Sequence, residues 1–204
     1  MARPPGNKRE PLLEGALKAF VARGYGGAMI PEIGRNAGVS PATYYLYFDS
    51  KAALANALAQ RWMGEVLERL APILDDPQPR PELHVALMRS MLEFGREHPL
   101  AYAFMARAAD APYLDETTKA LFESLARKER AAFRRYVDAG LLAGIGVQEV
   151  RALSRGHARE LVDMARAGII ELTDEVIERA AWMSWHALAA TTTLKRGERD
   201  NDDG

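Results

Sequence analysis

The densest run of side chains able to do chemistry is SPATYYLYFDSK, residues 40–51. Ser40, Thr43, Tyr45 and Tyr47 offer hydroxyl donors, and Lys51 offers an ammonium with three donors and no acceptor. Such donors suit an anion, above all a phosphate. They do not suit bond cleavage, because no His or Cys stands beside them. Elsewhere there is no G-x-S-x-G, H-E-x-x-H or P-loop pattern. The glycines at 144 and 146 do not continue as a dinucleotide fingerprint, since Glu149 stands where the third glycine belongs. The chain has no cysteine, which excludes disulfides and thiolate metal sites. His84, His98, His157 and His186 lack ligand spacing. The sequence predicts no enzyme, no metal and no cofactor.

Aromatic residues crowd the same run: Tyr44, Tyr45, Tyr47 and Phe48. At about 100° per residue on a helix, Tyr44 and Phe48 share one face and Tyr45 and Tyr47 flank it. The first pair is expected in a core. The flanking pair packs its rings on the domain and reaches outward with its hydroxyls. Leu46 points away from that core, where a leucine is either a bystander or an apolar contact.

Nine helices must position these groups. Strand-like alternation is nearly absent, and 3.6-residue periodicity is nearly continuous. The expected helices span about 9–23, 31–37, 41–47, 51–70, 82–97, 99–109, 116–139, 147–167 and 174–195. Ser40 and Pro41 start the third well, as N-cap and first helical residue. Pro72 is expected to stop or kink the fourth. DDPQPRP (Asp75–Pro81) reads as a linker. The charged end, residues 196–204, reads as a disordered tail. The two short helices around Gly38-Val39-Ser40 have the helix-turn-helix layout, in which the second helix enters the DNA major groove. Residues 1–61 carry a net charge of +4 and the remainder −5, which agrees with a polyanion-binding part on an acidic body.

The last helix is apolar or small on every side over AAWMSWHALAATTTL, residues 180–194. A helix of that kind is buried all round. For the final helix of a small domain, a second copy of the chain is the favoured cover. The run is too short for a membrane span. The opening MARPPGNKRE lacks the apolar core of a signal peptide. A cytoplasmic protein with no membrane partner is expected.

Residues 9–58 resemble the DNA-binding domain of the TetR family of transcriptional regulators. The resemblance rests on Ala16, Phe20, Gly24 and Tyr25, on I-x-x-x-A-G-V-S from Ile33 to Ser40, on T-x-Y-x-Y-F from Thr43 to Phe48, and on S-K-x-x-L from Ser50 to Leu54. It implies an all-α homodimer: a DNA-binding domain at 1–58 with its helix-turn-helix at about 29–48, then an effector-binding and dimerisation domain at 59–195. By position it implies phosphate contacts at Thr43, Tyr45, Tyr47 and Lys51, and proximity to base edges at Ser40, Pro41 and Ala42. Arg35, Lys8 and Arg9 are further candidate DNA contacts. Ala28 and Met29 stand where many members carry a capping Thr or Ser.

The expected partners are a double-stranded DNA operator, a second copy of the chain and a small apolar or amphipathic effector. Candidate effector-site residues are Met88, Met91, Phe94, Tyr102, Phe104, Met105, Phe122 and His157, a methionine- and aromatic-rich set suited to an adaptable pocket. Candidate dimer contacts are Leu153, Leu161, Trp182, Trp185, His186 and Ala189. The expected function is a repressor released from its operator by ligand. The rival is a helical ligand-binding protein or enzyme that retains a vestigial helix-turn-helix.

Overall fold

A computed structural model describes residues 8–202, with side chains to residue 190. Among these residues there are nine helices and no strand. They are α1 (Arg9–Gly27), α2 (Ile30–Ala37), α3 (Pro41–Tyr45), α4 (Lys51–Leu74), α5 (Pro81–Glu97), α6 (Pro99–Ala108), α7 (Glu116–Asp138), α8 (Val147–Arg166) and α9 (Asp174–Asp202). Helix α1 breaks at Gly24, whose φ of 68° lies in the left-handed region. α4 runs through Pro72 instead of stopping at Leu70. In a last turn, proline forfeits one N–H bond and leaves little helix to kink. The α9 backbone continues past Lys195 into the segment expected to be a disordered tail. No proline interrupts residues 196–202. Residues 203–204 lie outside the described residues.

The helices sort into two compact units: residues 8–65 with 100–122, and residues 66–99 with 123–202. In the first unit, α1 and α2 approach closely at Gly15. A Cβ there would lie 2.8 Å from the Ile33 carbonyl oxygen, so no larger residue fits. Leu12, Leu13, Ile33, Tyr44, Leu54 and Leu58 are almost fully buried around this contact. Phe20 of α1 stacks on Phe104 of α6, centroids 5.9 Å apart. Buried Asn56 of α4 organises the α6–α7 loop. Its Nδ2 donates to the Tyr113 and Ala52 carbonyls, both at 2.9 Å, and its Oδ1 accepts from the Asp115 amide at 2.9 Å. Asp115 then caps α7 by accepting from the Thr118 amide at 2.7 Å.

In the second unit, α5 packs against α8 and α9. A Cβ at Gly95 would overlap Val162, so this glycine sets the α5–α8 approach. Glu129 of α7 is buried and pairs with Arg151 at 2.7 Å and Arg155 at 3.2 Å on α8. The 75–81 segment is a pinned loop within this unit. Asp76 accepts from the Gln78 amide at 2.9 Å and from Arg80 at 3.0 Å, and Tyr136 Oη donates to the Arg80 carbonyl at 3.0 Å. His84 is buried, with Nε2 3.0 Å from Ser184 Oγ and rings of Phe133 and Trp185 nearby. Among the described residues its Nδ1 has no hydrogen-bond partner. Burial, with a lesser push from His157, lowers the His84 pKa to about 4.

Two outcomes are expected. Asn56→Ala removes three hydrogen bonds and leaves a carbonyl and an amide of the α6–α7 loop unsatisfied, so urea denaturation should show a loss of about 2–3 kcal/mol. His84 stays neutral in the fold down to about pH 4, whereas an unfolded histidine titrates near pH 6.5. Its contribution is therefore complete above pH ~6.5 and lost as pH falls towards ~4, a decline on the order of 3 kcal/mol. Stability measured across that range should decline less steeply in His84→Gln.

Candidate nucleic-acid interface

The turn between α2 and α3 is built from backbone geometry. Gly38 has φ 64°, and its amide donates to the Arg35 carbonyl at 3.2 Å. The next amide, of Val39, returns to the Gly34 carbonyl at 2.9 Å. Only glycine adopts that φ without strain. Ser40 caps α3, its Oγ accepting from the Thr43 amide at 3.1 Å and lying 3.0 Å from Thr43 Oγ1. Met29 precedes α2 and makes no side-chain cap, as its type requires.

The aromatic run divides as its helical positions predict. Tyr44 is fully buried and Phe48 nearly so. Tyr44 Oη donates to the Ser50 carbonyl at 2.9 Å, and burial pushes its pKa up to about 12. Tyr45 stands out at 55 % exposure, its ring edge-on to Tyr44. Leu46 is 76 % exposed. Tyr47 is half-buried; its Oη accepts from the Lys8 amide at 3.2 Å, which leaves its own O–H free to donate elsewhere. The α3 helix ends at Tyr45, two residues earlier than expected. The Tyr47 and Phe48 amides both converge on the Tyr44 carbonyl and carry the chain round.

Arg35, Ser40, Pro41 and Ala42 are exposed, and Thr43 is half-buried. The Arg9 guanidinium lies 5.7 Å from the Phe48 ring centre. Lys51 has a different environment from the one its sequence position suggests. Its ammonium donates to the Tyr25 carbonyl at 2.7 Å and the Ala28 carbonyl at 3.0 Å, and sits 4.5 Å from the Tyr25 ring centre. A cation in the first turn of α4 needs negative partners, and the end of α1 and the residue after it supply them. Tyr25 in turn stacks on Tyr113 at 3.9 Å. The structural roles of Tyr25 and Asn56 were not anticipated. For Asn56 a signal existed: a lone amide on the apolar stripe of Ala52, Ala55 and Ala59.

The other candidate sets fare differently. Met88, Met91, Phe94 and His157 belong to the second unit, and Tyr102, Phe104, Met105 and Phe122 to the first. They are not one cluster within either unit. Phe104 is spent on its stack with Phe20. His157 is half-buried, and burial lowers its pKa. A cleft in the second unit is lined by Arg130, Arg134 and residues 146–149, none of them in the expected set. On α8 and α9, Leu153, Met183 and His186 are exposed, and Leu161, Trp182 and Ala189 are half-buried. Trp185 corrects the expected interface. It is 6 % exposed and packs on His84 and Tyr136, so the protomer's own core consumes it. Residues 191–194, part of the all-round apolar run, lie outside the described side chains. Among the described residues, no helix is long and apolar enough to cross a membrane.

Comparison with known proteins bears on the whole chain. The family model described as "Bacterial regulatory proteins, tetR family" matches residues 12–58. The one described as "Tetracyclin repressor-like, C-terminal domain" matches residues 65–190. The HTH-type transcriptional regulator RutR of Escherichia coli strain K12 is 28% identical over 160 residues, 78% of this chain and 75% of that protein. In fold, the chain is similar to a TetR family transcription regulator from Marinobacter aquaeolei VT8, with TM-score 0.74, 23% identity and coverage of 89% and 95% of the two chains. It is also similar to AibR, solved in complex with isovaleryl coenzyme A and operator DNA, with TM-score 0.70, 20% identity and coverage of 86% and 96%.

The Lys51 geometry makes a prediction independent of DNA. Lys51→Met leaves the Tyr25 and Ala28 carbonyls without their charged donor, so thermal or urea unfolding of the free protein should show a loss of about 1–2 kcal/mol. An unchanged unfolding curve would leave Lys51 with a contact role only.

Proposed function

The chain belongs to the TetR family of bacterial regulatory proteins and is a DNA-binding transcriptional regulator, and we propose that it is a repressor that binds a palindromic operator as a homodimer and leaves it on binding a small effector. The observation that carries the DNA-binding part is the surface of the helix-turn-helix. Tyr45 and the hydroxyl of Tyr47 stand outside a core closed by Tyr44 and Phe48; Arg35 is exposed on α2, and the exposed Arg9 lies over the Phe48 ring. Hydroxyls and guanidinium groups of this kind fix register on phosphates. In this reading residues 1–58 bind DNA, residues 59–195 bind effector and dimerise, and the protein works in the cytoplasm. Two α3 segments would enter successive major grooves roughly 34–36 Å apart.

Dimerisation is supported by exposed apolar side chains on the last two helices. Leu153 on α8 and Met183 on α9 are 57% and 59% exposed. Exposed apolar side chains on both helices suit association with a second copy. An amphipathic effector is supported by the fold-level likeness to AibR, whose structure holds isovaleryl coenzyme A. The coupling element in this reading is α4, which begins at Lys51 and continues to Leu74. Release requires that the ligand bind the two spacings of the DNA-binding domains with different affinity.

Selection of bound duplexes from a random pool should recover a palindrome. Affinity for it should fall steeply with salt, log K dropping by about 0.9 per log unit of salt for each phosphate neutralised. Tyr45→Phe should weaken binding by a similar factor for every sequence, roughly threefold to tenfold per half-site. Leu153→Glu with Met183→Glu should give monomers in sedimentation and much weaker operator binding. A salt-independent affinity, or a monomeric wild type, would refute the corresponding part of the proposal.

A further inference from the structure

The face that α3 offers contains no group able to make bidentate hydrogen bonds to bases. From Ser40 to Phe48 there is no Arg, Lys, Asn, Gln, Asp or Glu. The two small hydroxyls, Ser40 and Thr43, are already engaged with each other and with the cap of α3. What remains exposed is Pro41, Ala42, Tyr45 and Leu46. Bidentate recognition of guanine or adenine edges is therefore out of reach of this segment.

Leu46 is the most exposed large hydrophobic residue among those described. A single exposed leucine is ordinary on a protein surface. Its setting here is less so. Six large hydrophobic side chains are exposed among the described residues, and three of them, Met29, Tyr45 and Leu46, lie on the helix-turn-helix. Leu46 closes α3 as its C-cap residue, and the buried ring of Tyr44 holds the segment from the opposite face. Among the described residues, folding leaves most of the Leu46 side chain in solvent.

On the edges of the bases in the major groove, the apolar group is the thymine 5-methyl. Resting on the DNA-binding reading above, we infer that Leu46 is a specificity-determining residue that selects thymine through its 5-methyl group, by apolar contact in place of hydrogen bonds. Positioning then belongs to the hydroxyls and cations around it, and discrimination to Leu46. The operator should accordingly place thymine at a fixed position in each half-site, and a base pair without the methyl should be bound less well even though its hydrogen-bonding edge is identical.

The test uses the full-length protein and the duplex recovered by selection, made once with thymine and once with deoxyuridine throughout. Deoxyuridine differs from thymidine by that methyl alone. Loss of one buried methyl corresponds to about fourfold in affinity, so both half-sites together give roughly fifteenfold weaker binding by the wild type. In Leu46→Ala the thymine-to-uracil ratio should shrink below about threefold, because little apolar surface remains to meet the methyl. Its salt dependence should match the wild type, because no phosphate contact is lost. Leu46→Met should restore most of the ratio. Thermal unfolding of both variants should match the wild type, given the exposure of the site. Equal wild-type affinity for the two duplexes would overturn the assignment of Leu46, as would an undiminished ratio in Leu46→Ala. Failure to bind any duplex would overturn the DNA-binding reading along with it.

Discussion

A charge held in an unfavourable place ties together three parts of the DNA-binding unit. Lys51 begins α4, where the helix dipole opposes a cation. The Tyr25 carbonyl in the last turn of α1 and the Ala28 carbonyl just after it accept its hydrogen bonds, and the face of Tyr25 lies against it. One ammonium thus joins the end of α1, the chain before α2 and the start of α4. The same segment is also held by buried Ala28 and by the Tyr25 ring against Phe20 and Tyr113. Gly24, Gly26 and Gly27 supply no side chains to pack, and Met29 provides no cap. The Lys51 contact adds to the close α1–α2 packing at Gly15 and Ile33 that seats α2, and so helps to place α3.

The same contact extends to elements far along the chain. Tyr25 stacks on Tyr113 in the α6–α7 loop, and Asn56 of α4 hydrogen-bonds that loop on both its carbonyl and amide sides. Helix α6 beyond its first residue and the first part of α7 therefore form one compact unit with α1–α3 and the first part of α4. A buried amide with all these bonds made is stabilising, and it also specifies one arrangement of the loop, because any shift would strand polar atoms out of water. The second unit shows the same economy in Glu129, whose buried carboxylate is tolerable only because Arg151 and Arg155 both reach it.

Much of this was legible in the residues. Helix positions followed from periodicity and from proline and glycine signals, and the nine expected helices are those observed, with ends shifted by a few residues. The larger shift, in α9, arose because composition alone argued for disorder. The division of Tyr44 and Phe48 from Tyr45 and Leu46 followed from helical angle and is seen in their burial. Trp185 was not legible. An all-round apolar helix says that every face is covered, not which face meets its own protomer. The apolar candidates for an effector site had the same weakness, since methionines and aromatics spaced for a pocket are spaced equally well for a core. Phe104, stacked on Phe20, is a case of the latter.

By itself, the sequence determined the all-α class, the site of the turn at Gly38 and the identity of the side chains facing outward from α3. These are local properties, set by backbone sterics and by angles within a single helix turn. Only the tertiary structure decided what Lys51 holds, where Asn56 sends its hydrogen bonds and which tryptophan of α9 is consumed by the core. Lys51 is separated from Tyr25 by 26 residues and Asn56 from Tyr113 by 57. Contacts over such distances depend on how helices pack, and no periodicity within one helix encodes which polar atom will lie opposite another.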